Sequence, residues 1–590
     1  MAKMKCAEAI VRFLEKVGTE YVFGVNGHGN WAFLDIIEHN SKIQGIPTRS
    51  EDHAIHMADG YFRMKRQAPL PVVMTTVGPG NTNIVSALAQ AYFESSAMLV
   101  IAGGGPTQWY DRGGMEEFYR KGPEEWIQVV KPMTKLALMV NRPDTALDMI
   151  MRAYKMAVTG RPGPVVVMVP FDIQHTEIDV KEIPDPALWV NIHNAGPDPS
   201  SIREAAQLIS ESNNPLLLVS GGIHNSRAYD ELVSFVETFK IPVATTFMGK
   251  GAISEDHPLS LGVTGRNGSI HSINAARNCD VLIAIGTHFT DLDTAGWTLY
   301  DIPNKTKLIH IDIDDSEIAR VYPTQVGIVS DAKNAIQGLS KALKKLHFDG
   351  HRTSSWLDQI KKWKAEWEKS AIDLRNSNIF PLHYARICND AGEIIKEVDP
   401  ETSLLIDTGH LLNFGPAFLK YYSHFISHCG HFHRMGWSAP GAIGAKLANP
   451  KHPSVALIGD GSFFMTGVSL ATTNEQNIPI VCVVLNNKTL QIEREAMIKF
   501  YGKTSFCDYK IAKTGELWNP DIIKFAESMG VEGVRINKPE EFKPVFKRAL
   551  SCKHTVVIDV PTNIEVKGYR PIMYTFPADF KLRGLENPAY

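Results

Sequence analysis

The chain reads Ser454-Val-Ala-Leu-Ile-Gly-Asp-Gly461 and, after 24 further residues, Asn486-Asn487. The apolar, largely β-branched residues before the first glycine predict a buried strand, and Ile478–Leu485 predicts a second one. Between them, Ser462–Gln476 has the spacing of a helix. The stretch is therefore a β-α-β unit that carries an aspartate and an asparagine at the carboxyl ends of two parallel strands, where open α/β sheets bind ligands.

These two strand ends have the chemistry of a metal and phosphate site. Asp460 offers a carboxylate and Asn487 an amide oxygen, which suit octahedral Mg²⁺ together with water and phosphate oxygens. Gly459 and Gly461 let backbone N–H groups approach a phosphate, and the N-terminus of the following helix favours an anion. We therefore expect Mg²⁺ and a diphosphate at this edge of the sheet.

The composition is that of an ordinary globular protein. The 590 residues are too many for one hydrophobic core and predict three or four domains. With 44% hydrophobic residues, 21% charged residues and a net charge of −3, the chain has no basic excess for nucleic acid. No apolar run is long enough for a membrane span, and the N-terminus lacks the apolar core of a signal peptide. Seven scattered cysteines without a Cys-x-x-Cys pair are typical of reduced thiols, so a cytoplasmic protein is expected.

Alternating strand and helix patterns divide the chain into three blocks. We predict an α/β fold of three consecutive doubly wound parallel-sheet domains over residues 1–183, 196–345 and 375–565, followed by a C-terminal tail over 566–590. Prolines and aspartates between the first two blocks predict a linker. The aromatic and charged residues of Trp356–Lys369 predict an exposed connecting helix.

Four further motifs accompany the opening stretch. They are Thr48–Tyr61, Val77–Asn83, Gly160–Val165 and Met435–Gly444. Together the five motifs, in this order, resemble the acetohydroxyacid synthase superfamily of thiamine diphosphate (ThDP) enzymes. The resemblance covers about residues 1–565. It implies that the three blocks are a pyrimidine domain, a central nucleotide-binding-like domain and a diphosphate domain.

The resemblance also implies roles for individual residues. Glu51 is implied as the glutamate that activates the cofactor by hydrogen-bonding its aminopyrimidine ring, and Met435 as the wedge that bends the cofactor. Asp460 and Asn487 are implied as metal ligands, with the Thr489 carbonyl as a third. The residues implied to line the diphosphate are Gly409, His410, Gly459, Gly461 and Ser462.

Two larger expectations follow from the same resemblance. In this superfamily the cofactor lies between the pyrimidine domain of one subunit and the diphosphate domain of another, so a homodimer or homotetramer is implied. The central domain is implied to hold FAD or the ADP part of a nucleotide such as CoA, and a central domain without any ligand is the alternative. The residues implied there are Arg161, Gly221, Gly222, Asp312 and Asp331.

The chain departs from a true acetohydroxyacid synthase on the acceptor side. Leu292 replaces the arginine that normally holds the carboxylate of the acceptor, which removes a charge-assisted clamp. After Asn487 the chain reads Lys488–Glu495, without the Gly-Met pair and the tryptophan of the synthases. Glu493 in this segment is predicted to deprotonate a substrate hydroxyl or to reprotonate the product. The alternative is that it belongs only to a solvated charged run.

Two residues of the first domain are expected near the substrate. His28 lies in a loop that normally approaches the thiazolium ring, and it is predicted to bond a substrate oxygen or to shuttle a proton. The alternative is a histidine that bonds only within its loop. Its Gly-His-Gly-Asn sequence also resembles the cyclic-dione hydrolases. Glu117 takes roughly the place of a substrate-side glutamine of the family.

The C-terminal tail carries cations between aromatic residues. Arg570, Lys581 and Arg583 are predicted to fold over a ligand that carries phosphates, and a tail packed on the neighbouring subunit is the alternative. Such a lid resembles that of the 2-hydroxyacyl-CoA lyase and oxalyl-CoA decarboxylase branch. An acyl-CoA would then be the small-molecule substrate.

These observations favour a ThDP- and Mg²⁺-dependent C–C bond lyase or carboligase. The first hypothesis is a 2-hydroxyacyl-CoA lyase, which cleaves its substrate to formyl-CoA and an aldehyde or ketone. The alternatives are an acetolactate synthase-like 2-oxo acid carboligase, a cyclic 1,2-dione hydrolase and an inactive regulatory homologue. Intact Glu51, Asp460 and Asn487 argue against the inactive homologue.

Overall fold

Three parallel β-sheets of six strands each follow one another along the chain. They are seen in a computed structural model that describes residues 2–117, 119–190 and 194–572. Buried, nearly continuous apolar strands build each sheet, and apolar clusters under helices cover its faces, as parallel sheets require. The predicted α/β architecture of three doubly wound domains is confirmed.

The first domain holds one large sheet and one small one. Its strands are β1 (Ala2–Lys5), β2 (Tyr21–Gly24), β3 (Gln44–Pro47), β4 (Val72–Thr75), β5 (Leu99–Gly104), β6 (Leu136–Met139), β7 (Val165–Pro170) and β8 (Glu177–Val180). Its helices are α1 (Cys6–Lys16), α2 (Trp31–Asn40), α3 (Glu51–Lys65), α4 (Pro79–Thr82), α5 (Val85–Phe93), α6 (Glu125–Val130), α7 (Ala146–Val158), α8 (Phe171–His175) and α9 (Pro186–Trp189). The large sheet has the order β3-β2-β4-β5-β7-β6 with parallel neighbours, and β1 pairs with β8 antiparallel.

The central domain repeats the same construction. Its strands are β9 (Pro215–Val219), β10 (Val243–Thr245), β11 (Ser260–Val263), β12 (Val281–Ile285), β13 (Lys307–Asp312) and β14 (Val326–Val329). Its helices are α10 (Pro199–Glu211), α11 (Gly221–Ser226), α12 (Tyr229–Phe239), α13 (Ile270–Asn278), α14 (Asp291–Thr294), α15 (Ala332–Lys345) and α16 (Ser354–Arg375). The strand order is β11-β10-β9-β12-β13-β14, all parallel.

Helix α16 connects the central and third domains and is the longest helix of the described residues, at 22 residues. The prediction that this helix is exposed is only partly right. Trp356 and Trp367 are buried, with 3% and 5% of their surfaces exposed. Trp356 donates its indole N–H to the carbonyl of Pro215 at 3.1 Å. The helix is therefore amphipathic and packs on the domains it joins. No helix within the described part of the chain is long and apolar enough to cross a membrane.

The third domain contains the β-α-β unit that runs from Ser454 to Asn487. Its strands are β15 (Ser403–Ile406), β16 (Ile426–His428), β17 (Ser454–Gly459), β18 (Val481–Asn486), β19 (Glu532–Arg535) and β20 (Val556–Pro561). Its helices are α17 (Tyr384–Val398), α18 (His410–Phe418), α19 (Ser438–Ala448), α20 (Asp460–Thr466), α21 (Leu470–Glu475), α22 (Gln491–Tyr501), α23 (Ile522–Ser528) and α24 (Phe542–Leu550). The order is β16-β15-β17-β18-β20-β19, all parallel, so the carboxyl ends of β17 and β18 lie side by side.

Helices α3 and α19 hold the first and third domains together through their glycines. A Cβ on Gly60 would lie 2.0 Å from the carbonyl oxygen of Gly441, and a Cβ on Gly444 would lie 1.8 Å from that of Met57. No side chain fits at such distances, so the two backbones are in direct contact. Because α3 begins at Glu51, this contact fixes the helix that carries the predicted activating acid.

Candidate active site

A cavity of about 420 Å³ opens at the carboxyl ends of β17 and β18. We call it the diphosphate cavity, after the ligand predicted there. It brings together most of the predicted residues from distant parts of the third domain. The predicted residues that line it are Gly409, His410, Met435, Gly459, Asp460, Gly461, Ser462, Asn487, Thr489, Glu493 and Arg570.

Asp460 is the buried carboxylate of this cavity, with 3% of its surface exposed. Its two oxygens accept hydrogen bonds from the backbone N–H of Gly461 at 2.9 Å and of Lys488 at 2.5 Å. The side-chain amide of Asn519 donates a third bond at 2.7 Å. Burial outweighs these bonds and raises the pKa of Asp460 to about 6. A cation beside this carboxylate would therefore be stabilising at neutral pH.

Asn487 is oriented by a residue that sequence reasoning missed. Its amide nitrogen donates to the hydroxyl of Tyr384 at 2.8 Å, and its amide oxygen accepts from the N–H of Thr489 at 3.0 Å. Tyr384 begins α17, more than a hundred residues earlier in the chain, so no local pattern could reveal it. The contact distinguishes the two ends of the amide and points to the oxygen as the ligand end.

The cavity fits ThDP and Mg²⁺ by its open space and its donor set. A Cβ placed on Gly459 would meet no atom within 4 Å, and Gly409 has a φ of +95°, which favours glycine. The buried Oγ1 of Thr489 and Oε1 of Gln491 have no hydrogen-bond partner among the described residues. Open backbone at the strand ends, with unused oxygens beside it, is what a diphosphate with its metal ion requires.

Met435 lies against the same glycine-rich turn. Its methyl group is 3.3 Å from the position of a Cβ on Gly461. The following residue, Gly436, has a φ of +86°, and its N–H donates to Asp407 at 3.1 Å. The other oxygen of Asp407 accepts the N–H of Ser438 at 2.8 Å. Asp407 thus fixes the loop that presents Met435 to the cavity.

Two neighbouring glutamates on α22 differ in environment. Glu493, the predicted catalytic acid, lines the cavity but is exposed in the single chain. Glu495 accepts a hydrogen bond from Nε2 of His410 at 2.8 Å and another from the N–H of Gly568 at 2.8 Å. Burial opposes ionisation of Glu495, but the bond and charge of His410 outweigh it and lower the pKa of Glu495. Sequence reasoning treated Glu495 as part of a charged run and missed this role.

Glu51 lies on the first domain, as the first residue of α3, and is 7% exposed. Asn83 donates to its Oε2 at 2.9 Å, and Gly80 lies next to its other oxygen. The described residues that line the diphosphate cavity all fall between Arg266 and Arg570. Within one chain, therefore, Glu51 is not part of that cavity.

His28 and Glu117 lie close to each other on loops of the first domain. Nδ1 of His28 is 3.5 Å from a carboxylate oxygen of Glu116, and its buried Nε2 has no partner in the described structure. Burial raises the pKa of Glu117, while the charge of His28 opposes the shift. The buried hydroxyl groups of Tyr110 and Tyr119, whose rings are 5.8 Å apart, also lack partners among the described residues. This cluster offers unused donors and acceptors to a polar ligand.

A second cavity, of about 330 Å³, lies at the central domain, and all five predicted nucleotide residues line it. Gly222 must be a glycine, because a Cβ there would lie 2.5 Å from Cα of Gly286. Burial raises the pKa of Asp312 to about 6. Asp331 caps α15 by accepting the N–H of Lys333 at 3.0 Å, so part of its bonding capacity serves the fold. We call this space the central cavity.

Arg161 and His431 complete the wall of the central cavity. Arg161 belongs to the first domain, where it donates to Oγ of Ser95 at 2.8 Å, and its guanidinium lies 3.3 Å from a carboxylate oxygen of Glu317, so it joins the first domain to the central domain at this wall. His431 lines both the central and the diphosphate cavity. The two cavities therefore adjoin at one histidine.

The described start of the tail, residues 566–572, packs on the third domain beside the diphosphate cavity. The ring of Tyr569 lies 5.0 Å from that of Phe418 and 5.8 Å from that of Trp367. The side-chain amide of Asn267 donates to the carbonyl of Tyr569 at 2.8 Å. The next residue, Arg570, lines the cavity, whereas Lys581 and Arg583 lie outside the described residues.

Comparison with known proteins finds three family domains in succession along the chain. Residues 4–122 match the N-terminal TPP binding domain of thiamine pyrophosphate enzymes, residues 202–339 their central domain, and residues 408–560 their C-terminal TPP binding domain. These regions contain Glu51, then the predicted nucleotide residues Gly221, Gly222, Asp312 and Asp331, and then the predicted metal ligands Asp460, Asn487 and Thr489.

Similar proteins extend over nearly the whole chain. A probable acetolactate synthase large subunit of Methanocaldococcus jannaschii is 36% identical over 566 residues, which cover 94% of this chain and 92% of that protein. A probable acetolactate synthase large subunit of Methanococcus aeolicus is 33% identical over 571 residues, with 94% and 92% covered. The acetolactate synthase large subunit of Corynebacterium glutamicum is 31% identical over 559 residues, with 94% and 86% covered.

Proposed function

The chain belongs to the thiamine pyrophosphate enzymes, in the superfamily of the acetolactate synthase large subunits, and we propose that it joins two 2-oxo acids as a carboligase. That it is a ThDP-dependent enzyme of C–C bond formation or cleavage follows from its three domains and its relatives. The choice of substrate is our inference. The observation that supports it most is the diphosphate cavity, in which Asp460, Asn487 and Met435 meet in a chain similar to acetolactate synthases along its length.

The residues of the chain have two roles in this proposal: some hold the cofactor, and others transfer protons. Asp460 and Asn487 would hold Mg²⁺ and the diphosphate, and Met435 would support the rings. When bound, ThDP supplies a carbon nucleophile that adds to the carbonyl group of a 2-oxo acid and stabilises the charge left by departing CO₂. Glu51 would exchange a proton with the aminopyrimidine ring, and Glu493 would exchange one with the new hydroxyl group of the product.

A second copy of the chain completes the site in this proposal. Glu51 lies on the first domain, and the diphosphate cavity is lined only by described residues from 266 to 570. Glu493 faces this cavity yet is exposed in the single chain. Both observations fit a homodimer, or a tetramer built from such dimers, in which the first domain of one copy covers the cavity of the other.

The central cavity is proposed to hold FAD. It is lined by all five predicted nucleotide residues, and it adjoins the diphosphate cavity at His431, so a ligand with both a nucleotide and an extended ring system suits it. The ADP part of CoA remains the other candidate from the sequence. The visible spectrum of the purified protein tests this proposal: flavin absorbance supports it, and a colourless protein that releases ADP or CoA contradicts it.

Among the functions that the sequence predicts, the acetolactate synthase-type carboligase has more support than the 2-hydroxyacyl-CoA lyase. The similar proteins from Methanocaldococcus jannaschii and Methanococcus aeolicus are named probable acetolactate synthase large subunits, and the one from Corynebacterium glutamicum an acetolactate synthase large subunit. The lyase rested on Leu292, Glu493 and the cationic tail, and a carboligase can use Glu493 and Arg570 without CoA, while Lys581 and Arg583 lie outside the described residues. The cyclic-dione hydrolase rests on the single loop of His28, and the inactive homologue disagrees with intact Glu51 and Asp460.

The proposed function is tested by supplying pyruvate to the purified protein with ThDP and Mg²⁺. We expect CO₂ release and acetolactate formation that depend on both additions. A Glu51→Gln variant should lose roughly 100-fold or more in kcat, because proton transfer at this acid contributes about 10²- to 10⁴-fold. Cleavage of a 2-hydroxyacyl-CoA without any consumption of 2-oxo acids would contradict the proposal and restore the lyase.

A further inference from the structure

The diphosphate cavity contains an arginine beside the position where the family's arginine is missing. Leu292 and Arg266 both line the cavity. The backbone N–H of Arg266 donates to the carbonyl oxygen of Leu292 at 2.8 Å, so the two residues are direct neighbours. Arg266 is buried, with 7% of its surface exposed. A cation therefore lines the cavity from the segment next to position 292.

A second arginine enters the same cavity from the described start of the tail. Arg570 lies 3.4 Å from a carboxylate oxygen of Glu495, which is already bonded by His410 and by the N–H of Gly568. Its Nε is buried and has no hydrogen-bond partner among the described residues. Because a guanidinium carries five N–H donors, Arg570 keeps donors for a ligand while Glu495 fixes its position.

Cations and carboxylates both surround these arginines. Lys499, on α22, is close enough that its pKa is lowered by burial and by the charges of Arg570 and Arg266. Glu493 and Asp291 also line the cavity, so it is not uniformly positive. Lys499, Arg570 and Arg266 cluster where α22, the start of the tail and the loop between β11 and α13 approach one another. Such a cluster suits one carboxylate, which a guanidinium binds through two parallel hydrogen bonds.

We propose that Arg570, together with Arg266, binds the carboxylate of the acceptor 2-oxo acid. This assignment rests on the proposed function, because it requires an acceptor that carries a carboxylate. It makes the start of the tail a determinant of substrate specificity. It also explains how the chain can accept a 2-oxo acid although Leu292 has replaced the usual arginine.

The proposal predicts a change in the choice of acceptor. The holoenzyme is given pyruvate as donor, with pyruvate and acetaldehyde competing as acceptors, and the ratio of acetolactate to acetoin is measured. Arg570→Gln and Arg266→Gln should each lower this ratio roughly 10- to 100-fold, the loss expected for a charge-assisted hydrogen bond. Acetoin formation should persist, because acetaldehyde has no carboxylate.

Lys567→Gln is the matched control, since it removes an exposed cation from the same tail. Its product ratio should equal that of the unaltered protein. Bound ThDP and circular dichroism are measured for every variant to establish that each is folded and loaded. An unchanged ratio in both arginine variants, or an equal fall in acetolactate and acetoin, would overturn the proposal.

A binding measurement separates failure of this assignment from failure of the proposed function. Oxamate, an unreactive isostere of pyruvate, is titrated calorimetrically into the holoenzyme and into Arg570→Gln. Binding that weakens about 10-fold or more in the variant supports the assignment even if the protein turns over no 2-oxo acid. Equal binding to both proteins, or none to the unaltered protein, refutes it whatever the activity.

Discussion

His431 carries a buried charge at the point where the two cavities meet. Burial lowers the pKa of this histidine, but the Asp293 carboxylate at 3.3 Å outweighs burial and raises it to about 9. In the unfolded chain an ordinary histidine loses its proton near pH 6.5. The stabilisation from protonated His431 is therefore fully present below about pH 6.5 and is lost as the pH rises through about 9.

The ion pair of His431 and Asp293 can be tested by its pH dependence. A shift from 6.5 to about 9 corresponds to about 3 kcal/mol of stability between neutral and alkaline pH. In Asp293→Asn the thermal midpoint should fall at pH 7 and should depend less on pH between 6.5 and 9. The double variant Asp293→Asn with His431→Gln should be no less stable than the single ones, because partners in one pair are coupled. Parallel pH profiles for the unaltered protein and Asp293→Asn would contradict this account.

Single residues of the site can be predicted where the neighbouring sequence forms a motif that places them. Asp460 and Asn487 directly follow apolar strands, so their place at one sheet edge could be inferred from the sequence. Tyr384, Asn519 and Arg266 could not, because each reaches the site from a distant segment. Their roles depend on how the domains pack, and the local sequence around them contains no motif.

At the scale of elements, the contact of α3 with α19 joins the two halves of the fold, and its glycines can be tested. In Gly444→Ala the new methyl group would lie 1.8 Å from the carbonyl oxygen of Met57, so the helices must separate. We expect a loss of about 3 kcal/mol or more, at the upper end of overpacking effects, and weaker ThDP binding because Glu51 begins α3. Gly338→Ala on α15 is the control, since its Cβ would meet only the side-chain ends of Ile202 and Pro197. Equal melting temperatures for the two variants would show that α3 and α19 can separate without a loss of stability, which would contradict this prediction.

The sequence predicts strands and helices best where its apolar residues follow a single pattern. β17 and β18 are continuous apolar runs, and the structure places them as neighbours in one parallel sheet. The prediction for α16 failed in part, because its charges indicate solvent while Trp356 and Trp367 are buried. A helix that connects two domains buries one side of its surface. Which side is buried depends on how both domains pack against the helix.

On the scale of the whole molecule, the residues proposed to act on ThDP fall into two groups that do not meet within one chain. Asp460, Asn487 and Met435 line one cavity, while Glu51 lies on the first domain outside it. The contact between α3 and α19 holds these domains together within one chain, so a simple closure of the chain is not available to join the halves. We therefore expect that a catalytic site forms only when two copies associate.

Complementation between two inactive variants tests this central claim most directly. Glu51→Gln lacks the proposed activating acid, and Asp460→Ala lacks the proposed metal-binding carboxylate, so each protein alone should be inactive with pyruvate. After the two are dissociated, mixed and reassociated, each mixed dimer should contain one site with both residues intact. We predict that acetolactate formation returns to about one quarter of that of the unaltered protein, since half of the dimers are mixed and each has one working site. If the mixed sample stays as inactive as its components, although mixed dimers are present, the site is contained within one chain and the account is wrong.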